Sequence, residues 1–140
     1  SNVLKQRVAA VQQQLKNGVS VYIGGEVTVF DKSYPTFINQ IKQQISGMGC
    51  TFTTNEAEAD WVVRLQGTTQ EYNTLQKKSY SAFVVMAEVA IEIAKQGQII
   101  YSGNVSKKGV HTNNTEQAAK EAYSEASKAI AAQINEIINN

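Results

Sequence analysis

The sequence predicts an α+β domain: a mixed, mainly antiparallel sheet with a long three-stranded meander, and helices packed on the sheet. Three observations carry this. From Ser81 to Ile93 the odd positions read Ser, Phe, Val, Ala, Val, Ile, Ile. The even positions carry Glu88 and Glu92, the two-residue alternation of a strand with one buried face. A polar turn, Lys95-Gln96-Gly97-Gln98, then leads into Ile99-Ile100-Tyr101-Ser102, with Gly97 supplying the positive φ of a tight hairpin. Helical stripes stand on both sides of these strands, the last one long and alanine-rich.

Taken in order, Leu4, Val8, Val11 and Leu15 recur at helical spacing, and Asn17-Gly18 stops that helix. Val19, Val21 and Ile23 begin a strand that Gly24-Gly25 breaks, with Val27 to Phe30 extending it past a bulge. Asp31 or Ser33 caps a second helix, Pro35 fits its first turn, and Phe37, Ile38, Ile41 and Ile45 form its apolar stripe. Gly47 and Gly49 end it. Cys50 to Thr54 is a short β-prone run, and Asn55 to Asp60 a polar link. Trp61, Val63 and Leu65 start a strand expected to reach Tyr72, followed by a hairpin loop from Asn73 to Ser79. The alternating strand and its return to about Val110 complete the meander. Ser81 to Ile93 would span roughly 45 Å, so either a bulge bends this strand or its first half projects beyond the sheet. His111 to Asn114 is a loop. A closing helix from about Thr115 to Ile138 carries Ala119, Ala122, Ala126, Ile130, Ile134 and Ile137. The predicted order is α-β-α-β-β-β-β-α in a single domain over 1–140. Residues 19–138 form its core, and 1–18 serve as a linker or appendage.

Composition narrows the function classes. Of the 140 residues, 42% are apolar, enough for a folded core, and 18% are charged, so amides carry much of the solubility. A net charge of +1 offers no long-range field toward nucleic acid or an anionic membrane, and none is expected as a partner. One cysteine, Cys50, precludes an internal disulfide and a cysteine-built zinc site within one chain. No run is long and apolar enough for a membrane span, and no signal segment is visible. The opening Ser1-Asn2, without methionine, reads as a trimmed or mature fragment.

One further pattern is the pair Ala59-Asp60 before the strand Trp61-Val62-Val63-Arg64-Leu65-Gln66-Gly67. It is followed by the hairpin Val89 to Gly103 and an alanine-rich helix entered from a Gly- and Asn-containing loop. From about Val19 to Ile138 this resembles the α/β domains of bacterial envelope lipoproteins. That group includes the curli secretion lipoprotein, the activator lipoproteins of penicillin-binding proteins, the flagellar assembly protein T and the N-terminal domain of TolB. The resemblance implies a non-enzymatic module, periplasmic or attached to the outer membrane, that binds protein partners. Any lipid anchor would lie outside this chain.

No catalytic, cofactor or metal site is expected. His111 is the only histidine and has no nucleophile or carboxylate near it in sequence, so it reads as a loop or cap residue. Asp60 reads as a turn group before a strand. Glu88 and Glu92 share a strand face about 14 Å apart, beyond the separation of a glycosidase pair, and read as solvent-facing edge charges. Gly24-Gly25 lacks the spacing of a phosphate cradle. Cys50 reads as a buried inert thiol. The residues singled out for partner contact are Tyr72, Lys77, Lys78, Tyr80, Val84 and Met86. Tyr72, Tyr80 and the lysine pair cluster at one hairpin end, where aromatic and basic groups could meet a protein partner or stack on a cell-wall glycan. Ala82, Val84 and Met86 make the second face of the long strand apolar at its start, which requires cover. That cover is either the N-terminal helix or another subunit, so self-association is a further expectation. Lys107-Lys108, like Lys77-Lys78, reads as solvated charge that protects an exposed edge, with contact to an acidic partner or an anionic glycan as the alternative.

Overall fold

A computed structural model of the chain describes residues 18–77 and 80–139; of 73–77, 80 and 81 only the backbone is considered. The helix expected from Leu4 to Leu15 lies outside the described residues, as do Lys78 and Ser79.

The elements are β1 (Ser20–Val29), β2 (Lys32–Ser33), α1 (Thr36–Ile45), β3 (Thr51–Phe52), β4 (Trp61–Lys77), β5 (Tyr80–Lys95), β6 (Gln98–His111) and α2 (Thr115–Asn139). They form an α+β fold on a six-stranded mixed sheet, ordered β2-β1-β4-β5-β6 with β3 beside β1. β1 runs parallel to β3 and β4; the β1–β2, β4–β5 and β5–β6 pairs are antiparallel. The predicted meander is therefore β4-β5-β6, with α1 and α2 on one face of the sheet.

The two-residue alternation of β5 sets this face. Val85, Ala87, Val89, Ile91 and Ile93 are buried, while Glu88 and Ala90 are exposed. Val21, Ile23, Val27, Val63 and Leu65 continue the same layer in β1 and β4. Phe37, Ile41 and Ile45 of α1 and Ala118, Ala119, Ala122, Ala126, Ile130 and Ile134 of α2 close over it. The small residues in the first half of α2 let it approach β6. A Cβ on Gly109 would stand 2.0 Å from the Ala118 carbonyl oxygen and 2.4 Å from the Ala122 nitrogen, so only glycine fits there.

Several expectations change. Gly24-Gly25 does not break β1. Pairing with β4 runs without a register shift from Val21 opposite Trp61 to Val27 opposite Gly67. Gly25 stays in the ladder at φ +140, a backbone conformation open to glycine. Neither Asp31 nor Ser33 caps α1. Asp31 sits at φ 69 in the turn after β1, Ser33 belongs to β2, and α1 starts behind Pro35 without a side-chain cap. The expected loop over 73–79 is shorter, because β4 continues to Lys77 and β5 starts at Tyr80. Glu88 and Glu92 lie on an interior strand rather than an edge.

Of the two expected remedies for the long strand the projection occurs, while the bulges lie in its neighbours β4 and β6 rather than in β5 itself. A bulge at Tyr72 shifts the register between Glu71 and Asn73, and another shift lies between Ile93 and Ala94. Pairing of β5 with β6 ends at Phe83 opposite His111, whereas β4–β5 pairing continues to Lys77 opposite Tyr80. The far end of the β4–β5 hairpin thus leaves the sheet as a two-stranded ribbon. At the opposite end, Gln96 and Gly97 both have positive φ, forming the two-residue hairpin turn.

Candidate functional site

The face of the sheet away from α1 and α2 carries the residues that can meet a partner. At the root of the ribbon the ladder places Met86 opposite Lys108 and Val84 opposite both Asn73 and Val110. Tyr72 is the extra residue of the bulge. Its ring receives the Lys108 ammonium 3.7 Å from the ring centre, a cation–π contact. Tyr72 and Lys108 stand on strands either side of β5, so their side chains meet by leaning over it, near Val84 and Met86. Val84 is 7% exposed, on a face with no described helix above it. Met86 is half-buried, while Tyr72 and Val110 remain 51% and 53% exposed. An exposed aromatic, an exposed aliphatic and a cation held against the ring form one continuous surface.

Of the residues singled out from the sequence, the structure brings Tyr72, Val84 and Met86 together. Lys77 and Tyr80 face each other at the ribbon tip, four residue pairs beyond Asn73 and hence about 14 Å away. Lys78 lies outside the described residues. The aromatic and basic cluster expected at one hairpin end is therefore spread along the ribbon, because β4 continues past Tyr72. Val110 was not singled out from the sequence, and Lys108 was read there first as edge protection; both join this surface. Their signal was alternation in β6, which puts Lys108 and Val110 on one face, but their cross-strand neighbours depend on the hairpin register.

Nearer the start of β4 the same face holds a shallow depression of about 630 Å³, lined by Tyr22, Arg64, Gln66, Glu92 and Asn104. The Tyr22 ring lies over Gly24, filling the space a side chain there would take, and the small Ala90 lies in the lining beside it. The Arg64 guanidinium is shared between Glu56 and Glu92, with 3.3 Å to the Glu92 carboxylate. Its charge is already matched, so the depression offers hydrogen bonds rather than a free cation for an anionic ligand.

The remaining titratable residues are engaged structurally. His111 Nδ1 accepts a hydrogen bond from the Asn113 N–H at 3.0 Å. Asp60 accepts from the Ser20 N–H at 2.8 Å, and its own N–H donates to the Ser20 carbonyl at 3.0 Å, clasping the starts of β1 and β4. Cys50 is half-buried and burial pushes its thiol pKa up, which disfavours the reactive thiolate. Tyr123, which the sequence reading passed over, is fully buried and donates to the Thr28 carbonyl at 2.6 Å. Burial, set against this hydrogen bond, raises its pKa well above that of a free tyrosine. Among the described residues no three or more His, Cys, Asp or Glu side chains are grouped to hold a metal ion. No described helix is long and apolar enough to cross a membrane.

No family model matches the sequence, and comparison with curated proteins gives no match. Solved structures do match in fold. A minor lipoprotein from Acinetobacter baumannii superposes with a TM-score of 0.61 at 15% identity, covering 83% of this chain and 90% of its own. Rare lipoprotein B from Shewanella oneidensis superposes at 0.60 with 10% identity, covering 86% and 97%. A neuraminyllactose-binding hemagglutinin homolog from Helicobacter pylori superposes at 0.52 with 13% identity, covering 86% and 84%. The chain thus has a fold that resembles those of several bacterial envelope lipoproteins.

Proposed function

We propose that this domain is a non-enzymatic, partner-binding module of a bacterial envelope assembly, periplasmic or held at the outer membrane by an anchor outside this chain. The fold resemblance supports the location. The observation that carries the binding role is the surface at the ribbon root, where Tyr72 and Val110 are each about half exposed beside the Tyr72–Lys108 contact. Tyrosine is among the residues enriched in protein-interface hot spots, and exposed apolar surface rimmed by polar groups marks interaction sites. The partner is a protein, and the projecting ribbon extends the contact beyond the sheet.

The test is site-specific photocrosslinking in the source cells, with a benzoylphenylalanine at Val110 and a control probe at the exposed Glu125 on α2. A discrete adduct from position 110, absent from position 125 and lost in Tyr72→Ala with unchanged melting temperature, supports the reading. Equal labelling from both positions sinks it.

A second reading assigns the exposed Tyr72 ring and the ribbon to glycan stacking. It draws on the match to the neuraminyllactose-binding hemagglutinin homolog. Titration with sialyllactose and with cell-wall fragments, followed by tyrosine fluorescence, decides it: no saturable change removes this reading.

A further inference from the structure

The outer edge of β6 is a second surface, and the argument for it is independent of the ribbon root. β6 ends the sheet order, and among the described residues nothing pairs with its far side. From Tyr101 opposite Ile93 to His111 opposite Phe83 its ladder with β5 has no register shift. The strand is therefore straight and extended over this stretch, and in an antiparallel pair alternate residues direct their N–H and C=O groups outward. Proteins usually blunt such an edge with lysines, proline, bulges or short strands, and of these β6 carries Lys107 and Lys108, which repel a second basic edge. β6 has 14 residues and no proline, and its one irregularity lies at its start.

Beside this edge lies a depression of about 500 Å³ between β6 and the end of α2, lined by Ile100, Tyr101, Gln133, Glu136 and Ile137. Ile99 and Ile100 are 56% and 51% exposed. The Gln133 Oε1 is buried without a hydrogen-bond partner. A strand added to β6 would direct alternate side chains toward α2, and the one beside Tyr101 would enter this depression. Six residues further along the same face stands Lys107, about 20 Å away. Lys107 is exposed, whereas Lys108 on the other face is held by Tyr72. Gln98–His111 contains these two lysines and no acidic residue. Two copies of β6 set edge to edge would therefore bring together two strands whose own charged side chains are all positive. An acidic partner segment matches them.

We infer that the free edge of β6 takes an extended segment of a partner protein as an added strand, with an apolar side chain seated between Tyr101 and Ile137 and an acidic one at Lys107. The backbone ladder would supply affinity and these two contacts selectivity. The experiment uses the full chain, labelled with nitrogen-15. It is titrated with the acetylated, amidated peptide ETVTVTIT, whose acid and isoleucine match the spacing from Lys107 to Tyr101 in antiparallel register. Saturable shifts are expected at the amides of β6 and of 133–137. They should vanish for a probe N-methylated at alternate amides, which keeps the side chains and blocks the ladder. Lys107→Glu should weaken binding about threefold to fivefold, with recovery for the probe KTVTVTIT. Three results overturn the inference: no saturable shift at probe concentrations of about 5 mM, shifts confined to Tyr72, Met86 and their neighbours, or a concentration-dependent dimer in sedimentation whose β6 amides are protected without probe. The last result makes a second copy the occupant. Loss of the Val110 adduct in Tyr72→Ala, which leaves the β6 edge intact, tests the ribbon-root reading separately.

Discussion

Tyr123 offers the sharpest check on how the sheet and helices are joined. Its ring stacks on Tyr34 at 5.4 Å and meets Phe37 at 4.9 Å, and its hydroxyl donates to the Thr28 carbonyl at 2.6 Å. Tyr123→Phe keeps the ring and its packing and removes only that donor. A partly buried carbonyl left without its donor costs about 1–2 kcal/mol. For a chain of 140 residues that lowers the melting temperature by roughly 4–8 °C. The assay is urea denaturation followed by far-UV circular dichroism, with the slope expected to match that of the parent protein. A second consequence concerns alkaline pH. The pKa of Tyr123 is raised in the fold by burial, as is that of Tyr34. The native state therefore favours the neutral phenol. That contribution is complete below the ordinary tyrosine value near 10 and is lost as pH climbs from there toward the folded-state value. Stability of the parent should fall above about pH 10, and Tyr123→Phe should fall less steeply, with Tyr34 left as the residual. A Tyr123→Phe protein within about 0.3 kcal/mol of the parent, with an unchanged alkaline profile, would refute the reasoning.

Three more outcomes follow from the geometry. Gly109→Ala drives a methyl into the α2 backbone at Ala118 and Ala122, and should cost about 3 kcal/mol, read from the urea midpoint. Asp60→Ala removes the acceptor for the Ser20 N–H at an exposed site, and should cost about 1 kcal/mol, with faster amide exchange at Ser20. Arg64→Ala breaks two exposed ion pairs and should change stability by less than about 1 kcal/mol; a larger loss in thermal denaturation would mean that the pairs support more than themselves.

Most of the fold was legible because its main signals are local. Alternation in β5 and the glycine turn at Gln96-Gly97 define the hairpin without reference to the rest of the chain. The stripes of α1 and α2 likewise identify their buried faces. What escaped depends on pairing. Whether Gly24-Gly25 interrupts β1 is decided by the parallel ladder with β4, which no local pattern reveals. The role of Tyr123 is invisible on its own helix, since its hydrogen-bond partner Thr28 is 95 residues away. The site was half legible for the same reason. Apolar residues on both faces of early β5 pointed to Val84 and Met86, and the aromatic residue Tyr72 stood out. Yet Lys108 and Val110 join them only through the β5–β6 register, and the continuation of β4 to Lys77 separates Tyr72 from Tyr80.

The parallel junction between β1 and β4 also bears on how the chain reaches its native state. β4, β5 and β6 can zip from two tight reversals, so their closure costs little chain entropy. β1 must instead come to rest beside β4 across a sequence separation of 40, from Ser20 to Asp60. Contacts that bridge such a span form slowly relative to hairpins. In native-state hydrogen exchange the amides of β1 should consequently open at lower free energy than those of Val85 to Ile93. Uniform protection across both strands would show that crossover and meander unfold as one unit.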